Sequence, residues 1–267
     1  MRNIFVFLFA LSLVGLWSCS DDDTVEATGD LKISYNALFD GQELIGNQEY
    51  TLPDGKKIRF TQFNFLVSDM MVDYVEESET KITDLSPVEF VELTQTGASP
   101  LEPSDNQFTF FNLPTGEYTG IGFTFGLNDE LNLKTPADQD LGDNSPLKKS
   151  SHYWAGWQSY IYMKMEGTID MNDDGMLDTE NENFAYHTGA KDGSNTAATI
   201  YLPYTFNVEE NSTTDISMAI DLRDVLYNAS GQENWPIATR PTTHNPDDFD
   251  LVQIVMEKAS EAFKMGE

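Results

Sequence analysis

The three histidines of this chain, His152, His187 and His244, are the side chains best suited to hold a metal ion. Neutral imidazole is the commonest side-chain metal ligand near neutral pH. The single cysteine, Cys19, lies near the start of the chain, so a lipidated Cys19 would leave no thiolate for a metal or for nucleophilic catalysis. Two or three imidazoles without thiolates suit copper or zinc.

His152 opens the segment His152-Tyr-Trp154-Ala-Gly-Trp157, which places two of the four tryptophans beside a histidine. On an extended backbone, the side chains of His152 and Trp154 point to the same face. An unmodified indole is a poor partner for a metal, because its N–H is a donor without a free lone pair. The alternative interpretation is structural: His152, Trp154 and Trp157 pack in or near the core, and His187 caps a turn.

A second candidate site is an acidic loop that begins at Asp170. Oxygen-bearing residues at positions 1, 3, 5 and 9, with glycine at position 6, match the start of an EF-hand-type calcium loop. Asn181 occupies position 12, where such loops carry a glutamate, and Glu182 follows it. The candidate ligands are Asp170, Asn172, Asp174, Met176, Asp178 and Glu182. Asp and Asn with Gly also form simple turns, which is the alternative.

Calcium bound here would have a structural role. It would neutralise several close acids and order the loop that precedes His187, with the millimolar affinity typical of extracellular modules.

Composition and motifs exclude several classes of function. The formal net charge of -30 argues against nucleic-acid binding and against adhesion to anionic lipid heads. The chain has no Gly-x-Ser-x-Gly elbow, no His-Glu-x-x-His and no phosphate loop, so we expect a protein that is not an enzyme. The methionines Met70, Met71, Met163 and Met165 lie in strand-like segments and are predicted as core residues rather than ligands.

The elements that must position these side chains are short strands separated by turn residues. Two helices are predicted, one over 222–226 and a C-terminal one that follows a cap at Asn245 and includes Phe263. A long polar loop covers residues 128–150. The predicted fold is an all-β antiparallel sandwich with long loops and a short C-terminal helix. Its strands are predicted at 31–35, 48–52, 57–60, 63–67, 70–74, 88–93, 108–111, 118–125, 160–165, 199–206 and 215–221.

The first residues predict where the protein works. Arg2 and the apolar run from Ile4 to Leu16 are followed by Leu16-Trp-Ser-Cys19, which resembles a bacterial lipobox. The Ser-Asp-Asp-Asp that follows resembles the export signal of surface lipoproteins in Bacteroidota-type bacteria. We therefore expect a signal peptide over 1–18, an acidic tether over 19–30 lipidated at Cys19, and one domain over 31–267, anchored to the outer membrane at the cell surface. An ordinary cleaved signal peptide is the alternative.

Several motifs resemble the MbnP-like copper-binding family. They are His-Tyr-Trp-x-Gly-Trp-Gln-Ser-Tyr, Met-Glu-Gly and Phe-x-Tyr-His-x-Gly, together with 63–69, 113–118 and His-Asn-Pro-Asp at 244–247. The resemblance implies an all-β periplasmic or surface protein that binds one copper ion through histidines and a tryptophan oxidised to kynurenine. Opening the indole frees an aromatic amine lone pair, which turns a non-ligand into a ligand. In that family a di-haem peroxidase-type partner performs the oxidation.

By this resemblance, His152 and His187 are the expected copper ligands, with His244 as a further one. Either Trp154 or Trp157 is the tryptophan to be modified. The resemblance also implies transfer of copper to a TonB-dependent outer-membrane importer. A second hypothesis is a surface lipoprotein that binds glycan or peptide, in which Trp154, Trp157 and Tyr160 form an aromatic platform beside the calcium loop.

Overall fold

The computed structural model describes residues 27–76, 78–94, 106–177 and 182–266. The predicted signal peptide, Cys19 and the first part of the tether lie outside the described residues, as does Asp178 of the predicted calcium loop.

Strands dominate these ranges. The strands are β1 (Thr28–Phe39), β2 (Gln42–Glu43), β3 (Glu49–Thr51), β4 (Lys57–Glu76), β5 (Glu79–Thr94), β6 (Gln107–Pro114), β7 (Gly116–Phe125), β8 (Tyr153–Trp154), β9 (Ser159–Ile169), β10 (Asn183–Gly189), β11 (Ala198–Val208), β12 (Thr213–Asp221) and β13 (Phe263–Met265). The α-helices are α1 (Asp129–Asn132), α2 (Leu222–Leu226) and α3 (Phe249–Glu261). Short 3₁₀ turns cover Pro146–Lys148, Ser150–His152 and Pro246–Asp248.

The described strands form a β-sandwich, as the sequence predicts. One sheet has the order β13-β12-β1-β2, with β6 also paired to β1. The other has the order β10-β9-β4-β7-β11, with β3 and β5 paired to β4 and β8 paired to β9. Most neighbours are antiparallel, but β1 and β12 run parallel over the whole of β12. This pair departs from a purely antiparallel arrangement.

The core lies between the two sheets and is aromatic. Side chains of β1 alternate between buried and partly exposed along the strand, which is the period of two that a half-buried strand requires. Phe65 of β4 is fully buried, with its ring 5.7 Å from Tyr35 of the opposite sheet and 5.6 Å from Phe263. The sequence placed Phe263 in the C-terminal helix, and this prediction is wrong: α3 ends at Glu261, and Phe263 begins β13.

Two boundaries differ from the sequence prediction for physical reasons. The three strands predicted between Lys57 and Tyr74 form the single strand β4, because the polar residues between them sit at bulges and do not end the pairing. One bulge contains Asp69, whose φ of 51° is in the left-handed region. β1 begins at Thr28, within the predicted tether, and Asp30 donates its backbone N–H to the carbonyl of Ser212.

The helices follow the sequence signals. α2 begins after Asp221, whose side chain accepts the N–H of Arg223, and Asn245 caps the turn before α3 in the same way. α3 buries the apolar face Leu251, Val252, Val255, Met256 and Ala259. Within the described ranges, no helix is long and apolar enough to cross a membrane.

Candidate metal centre

A row of polar side chains crosses one face of the β4–β9–β10 part of the second sheet. Asn64 of β4 lies opposite Lys164 of β9, and Lys164 lies opposite His187 of β10. Directly opposed residues in antiparallel strands share a face, and so does Glu166, two residues after Lys164. The apolar neighbours Met163 and Met165 are fully buried on the other side of β9. The alternation of β9 therefore places Asn64, Lys164, Glu166 and His187 together.

His187 is held between a carboxylate and a second imidazole. Its Nε2 lies 2.6 Å from Oε1 of Glu166, and its Nδ1 lies 3.1 Å from Nε2 of His244. An ionised carboxylate can only accept, so Nε2 of His187 donates to Glu166; in the neutral ring the lone pair is then on Nδ1, which faces His244. The hydrogen bond from His187 lowers the pKa of Glu166, and the charge of Lys164 adds to that effect.

His244 reaches this place on a strap, residues 240–244, that runs along the outer edge of β10. Ala185 donates its N–H to the carbonyl of Pro241 at 2.8 Å, and Thr243 donates its N–H to the carbonyl of Ala185 at 3.2 Å. The strap therefore adds a short parallel pairing to the free edge of β10. His244, at its end, is exposed and packs its ring against that of His187, with centroids 4.5 Å apart.

The surroundings of His244 favour its uncharged form. Partial burial lowers its pKa, and the neighbouring His187 and Lys164 lower it further, while Glu166 opposes them. A neutral imidazole has one lone pair. Nε2 of His244 donates to Nδ1 of His187 in this structure, so a metal ion bound at Nε2 would require the His244 proton to lie on Nδ1 instead.

Trp154 is the indole beside the imidazole pair. Its ring makes an edge contact with His244, with centroids 5.9 Å apart and planes at 84°. Its face stacks on Trp157 at 4.5 Å and 11°. Trp157 lies behind Trp154 and contacts Phe249, the first residue of α3. The sequence left two tryptophans as candidates, and the structure brings Trp154 to the histidines.

His152 lies apart from this pair. It is the last residue of the Ser150–His152 turn rather than part of an extended segment, and 6% of it is exposed. Its Nε2 lies 3.0 Å from Oδ1 of Asn64, and its Nδ1 lies 3.2 Å from Oγ of Ser151. Burial, with the charges of Lys164 and Lys149, lowers its pKa to about 3.

Lys164 stands between the two groups of histidines. In the row of polar side chains, Lys164 lies between Asn64, which is the partner of His152, and His187. Its Nζ donates to the carbonyl of Ser151 at 2.9 Å, and burial lowers its pKa. The face therefore holds His152 as a neutral, hydrogen-bonded side chain at one end and the His187–His244 pair at the other.

The imidazole pair has the chemistry that copper or zinc requires. Two nitrogen ligands of a tetrahedral ion lie roughly 3.3 Å apart, given metal–nitrogen distances of about 2.0 Å. The 3.1 Å between Nδ1 of His187 and Nε2 of His244 is close to that spacing. Over the part of the chain that the structure describes, no three His, Cys, Asp or Glu side chains are arranged to hold an ion. Among these residues the pair supplies two donors.

In the predicted calcium loop, buried carboxylates accept hydrogen bonds from the backbone of the loop itself. Asp170 is buried, and its two carboxylate oxygens accept the N–H groups of Asp174 and Gly175 at 3.2 and 3.0 Å. Glu182, also buried, accepts the N–H of Met171 at 3.1 Å. These bonds bring the beginning and the end of the loop together.

Three of the remaining predicted calcium ligands, Asn172, Asp174 and Met176, are hydrogen-bonded to one another. Asn172 donates to Oδ2 of Asp174 at 3.1 Å, and Oδ1 of Asp174 accepts the N–H of Met176 at 2.9 Å. The Met176 side chain is 61% exposed. The ammonium of Lys56 pairs with Asp173 at the outside of the loop.

The prediction that Trp154, Trp157 and Tyr160 form an open aromatic platform is wrong. Trp157 is 8% exposed and Tyr160 is 1% exposed. The Tyr160 hydroxyl donates to the carbonyl of Leu147 at 2.8 Å, which fixes it inside the fold. Trp154 stacks face to face on Trp157 and does not lie beside it in one plane, so these rings present no continuous face to a ligand.

Sequence reasoning missed the side chains that support the centre. Glu166 lies inside the Met-Glu-Gly motif, so its position was visible but its partner was not. The role of Asn64 depends on the register of β4 against β9, which lies outside any local pattern.

The comparisons with known proteins identify one family. The family model MbnP matches residues 28–245, which is most of the chain. A solved structure described as MbnP from Methylosinus trichosporium is similar at a TM-score of 0.47 and 12% identity, over 74% of this chain and 77% of that one. No curated protein sequence matches significantly. Because the family model covers every strand from β1 to β12 as well as the imidazole pair, the chain belongs to the MbnP family.

Proposed function

We propose that this protein binds one copper ion through Nδ1 of His187 and Nε2 of His244. The observation that carries the proposal is the 3.1 Å separation of these two nitrogens at a partly exposed edge of the sheet. Imidazole ligands without thiolates suit copper. An accessible edge lets an ion enter and leave, as a protein that captures metal for transfer requires.

Glu166 would orient the centre. By accepting the Nε2 proton of His187 it leaves Nδ1 as the free donor, and a carboxylate behind a ligating imidazole makes that imidazole more basic.

Trp154 would supply the further donor. Its contact with His244 makes it the tryptophan whose oxidation to kynurenine would add an aromatic amine beside the two imidazoles. The oxidation itself, by a di-haem peroxidase-type partner, is an expectation from the family resemblance. Copper would be held here as cargo for transfer, and the chain's residues would bind and orient it.

The proposed place of work is the outer membrane surface, through lipidation of Cys19. The lipobox-like sequence before Cys19 and the acidic residues after it support this proposal. A net charge of -30 would raise the local concentration of cations at such a surface. Delivery to a TonB-dependent importer would follow capture.

The test of the copper proposal is metal content together with peptide mapping. We expect protein purified from copper-supplemented cells to carry copper at one ion per chain. Peptides that cover residues 150–167 should show any oxidation at Trp154 and none at Trp157. Protein that takes up no stoichiometric copper, in cells or from Cu(I) added in vitro, contradicts the proposal. Oxidation confined to Trp157 contradicts the assignment of Trp154.

We also propose that the loop from Asp170 to Glu182 binds calcium in a structural role. The support is that the side chains of Asp170 and Glu182 are buried, and that Glu182 accepts the N–H of Met171, the neighbour of Asp170 at the other end of the loop. Oxygen ligands of this kind suit calcium.

Added calcium should raise the melting temperature. For a dissociation constant of about 1 mM, 10 mM calcium stabilises by ~1.4 kcal/mol, or roughly 3–5 °C for a domain of this size. Differential scanning calorimetry with and without calcium measures it, with magnesium and the Asp170→Asn variant as controls. An unchanged melting temperature, or an equal rise in Asp170→Asn, would rule out this site.

A further inference from the structure

Thr243 makes two hydrogen bonds to the backbone of His187. It is fully buried, its Oγ1 accepts the N–H of His187 at 2.7 Å, and the same hydroxyl donates to the carbonyl of His187 at 2.7 Å. One side chain therefore satisfies both backbone groups of a proposed copper ligand.

These bonds complete the pairing of the strap with β10. At Ala185, the outward N–H and carbonyl of β10 are paired by backbone groups of Pro241 and Thr243. Two residues further on, at His187, the hydroxyl of Thr243 takes the place of that backbone. The strap can then turn away from the strand while His244 faces the ring of His187.

We propose that Thr243 is a positioning residue of the metal centre. Its hydroxyl ties the backbone of His187 to the strap and so sets the distance between the two imidazole nitrogens. The inference rests on the proposed function, because it concerns the geometry of the same site. Thr243 itself contacts neither imidazole ring nitrogen in the described hydrogen bonds, so it acts through His187.

The physical consequence concerns the fraction of molecules with the strap in place. Without the hydroxyl, the part-buried N–H and carbonyl of His187 lose their partners whenever the strap is docked, which favours the undocked form. Apparent affinity falls in proportion to the fraction of binding-competent molecules. His244 leaves with the strap, so undocking removes one of two imidazole ligands and also speeds release of the ion.

The experiment compares Thr243→Val, Thr243→Ala and Thr243→Ser in the full protein. Valine keeps the shape and removes the hydroxyl, whereas serine keeps the hydroxyl. Thr242→Val is the matched control, because it makes the same change one residue earlier on the strap. The measurements are Cu(I) affinity, by competition with a chromophoric chelator, and amide hydrogen exchange at His187 in the metal-free protein.

We expect Thr243→Val and Thr243→Ala to bind Cu(I) roughly ten-fold more weakly than wild type. Their His187 amide should exchange faster, and Thr243→Ser and Thr242→Val should behave as wild type. Thermal unfolding of each variant checks that it is folded. If Thr243→Val does not fold, Thr243→Ala takes its place in the comparison.

Unchanged affinity and unchanged exchange in Thr243→Val and Thr243→Ala would overturn the proposal, as would equal losses in Thr243→Ser. Failure of the copper function would appear separately, as wild-type protein without stoichiometric Cu(I). In that event, exchange at the His187 amide still decides whether Thr243 fixes this histidine to the strap.

Discussion

Replacing His187 by alanine should weaken copper binding by at least about 100-fold, whereas replacing His152 should leave it within about three-fold of wild type. His187 presents Nδ1 to His244, so its removal deletes a ligand and also frees Glu166 from its partner. His152 uses Nε2 on Asn64 and Nδ1 on Ser151, at the other side of Lys164. Competition titration with a Cu(I) chelator measures both variants.

The two variants should also differ in stability. His152 is buried, so His152→Ala leaves the side chain of Asn64 without its partner and should lower the free energy of unfolding. His187 is less buried, and its alanine variant should be closer to wild type in stability. Equal losses of copper affinity in the two variants would mean that His152 also coordinates the ion, contrary to the arrangement described above.

Replacing Gly167 by alanine should destabilise the protein by about 3 kcal/mol or more. Gly167 follows Glu166 in β9, between β4 and β10. A methyl group there would overlap the carbonyl oxygen of Arg59 in β4 and lie 2.8 Å from the ring of Phe184 in β10. Because the Arg59 oxygen belongs to the backbone and cannot rotate away, β9 and β4 must separate. The polar side chains on these strands would then no longer lie opposite one another.

Gly142→Ala is the matched control, because a methyl group on Gly142 meets no atom within 4 Å. Urea unfolding of both variants, followed by tryptophan fluorescence, gives the two free energies. We also expect Gly167→Ala to lose copper affinity, since Glu166 is the adjacent residue. A Gly167→Ala protein as stable as Gly142→Ala would show that β9 can move away from β4 at little cost.

Much of the fold follows from local patterns. Alternation along β1, turn residues between strands, and the caps at Asp221 and Asn245 are all visible in the sequence, and the structure has elements there. The polar interruptions of β4 misled the prediction, because a bulge and a strand end look alike in one dimension. The parallel β1–β12 pair joins residues far apart in the chain, which no local pattern reports.

The candidate site was harder to predict for the same reason. Closeness in sequence suggested that His152 and Trp154 act together, but a 3₁₀ turn ends at His152 and directs it into the protein. The partner of His187 is instead His244, fifty-seven residues later, which arrives by edge pairing of the strap. Residue type identified the possible donors, while strand register and the strap determine which of them meet.

The parallel pairing of β1 with β12 has a consequence for biogenesis. The first strand of the sandwich pairs with β2 and β6 along one edge, but its other edge finds its partner only among residues 213–221. Contacts this distant in sequence form slowly and only after synthesis of the later segment. This sheet should therefore remain incomplete, with one edge of β1 unpaired, until residues 213–221 have been made.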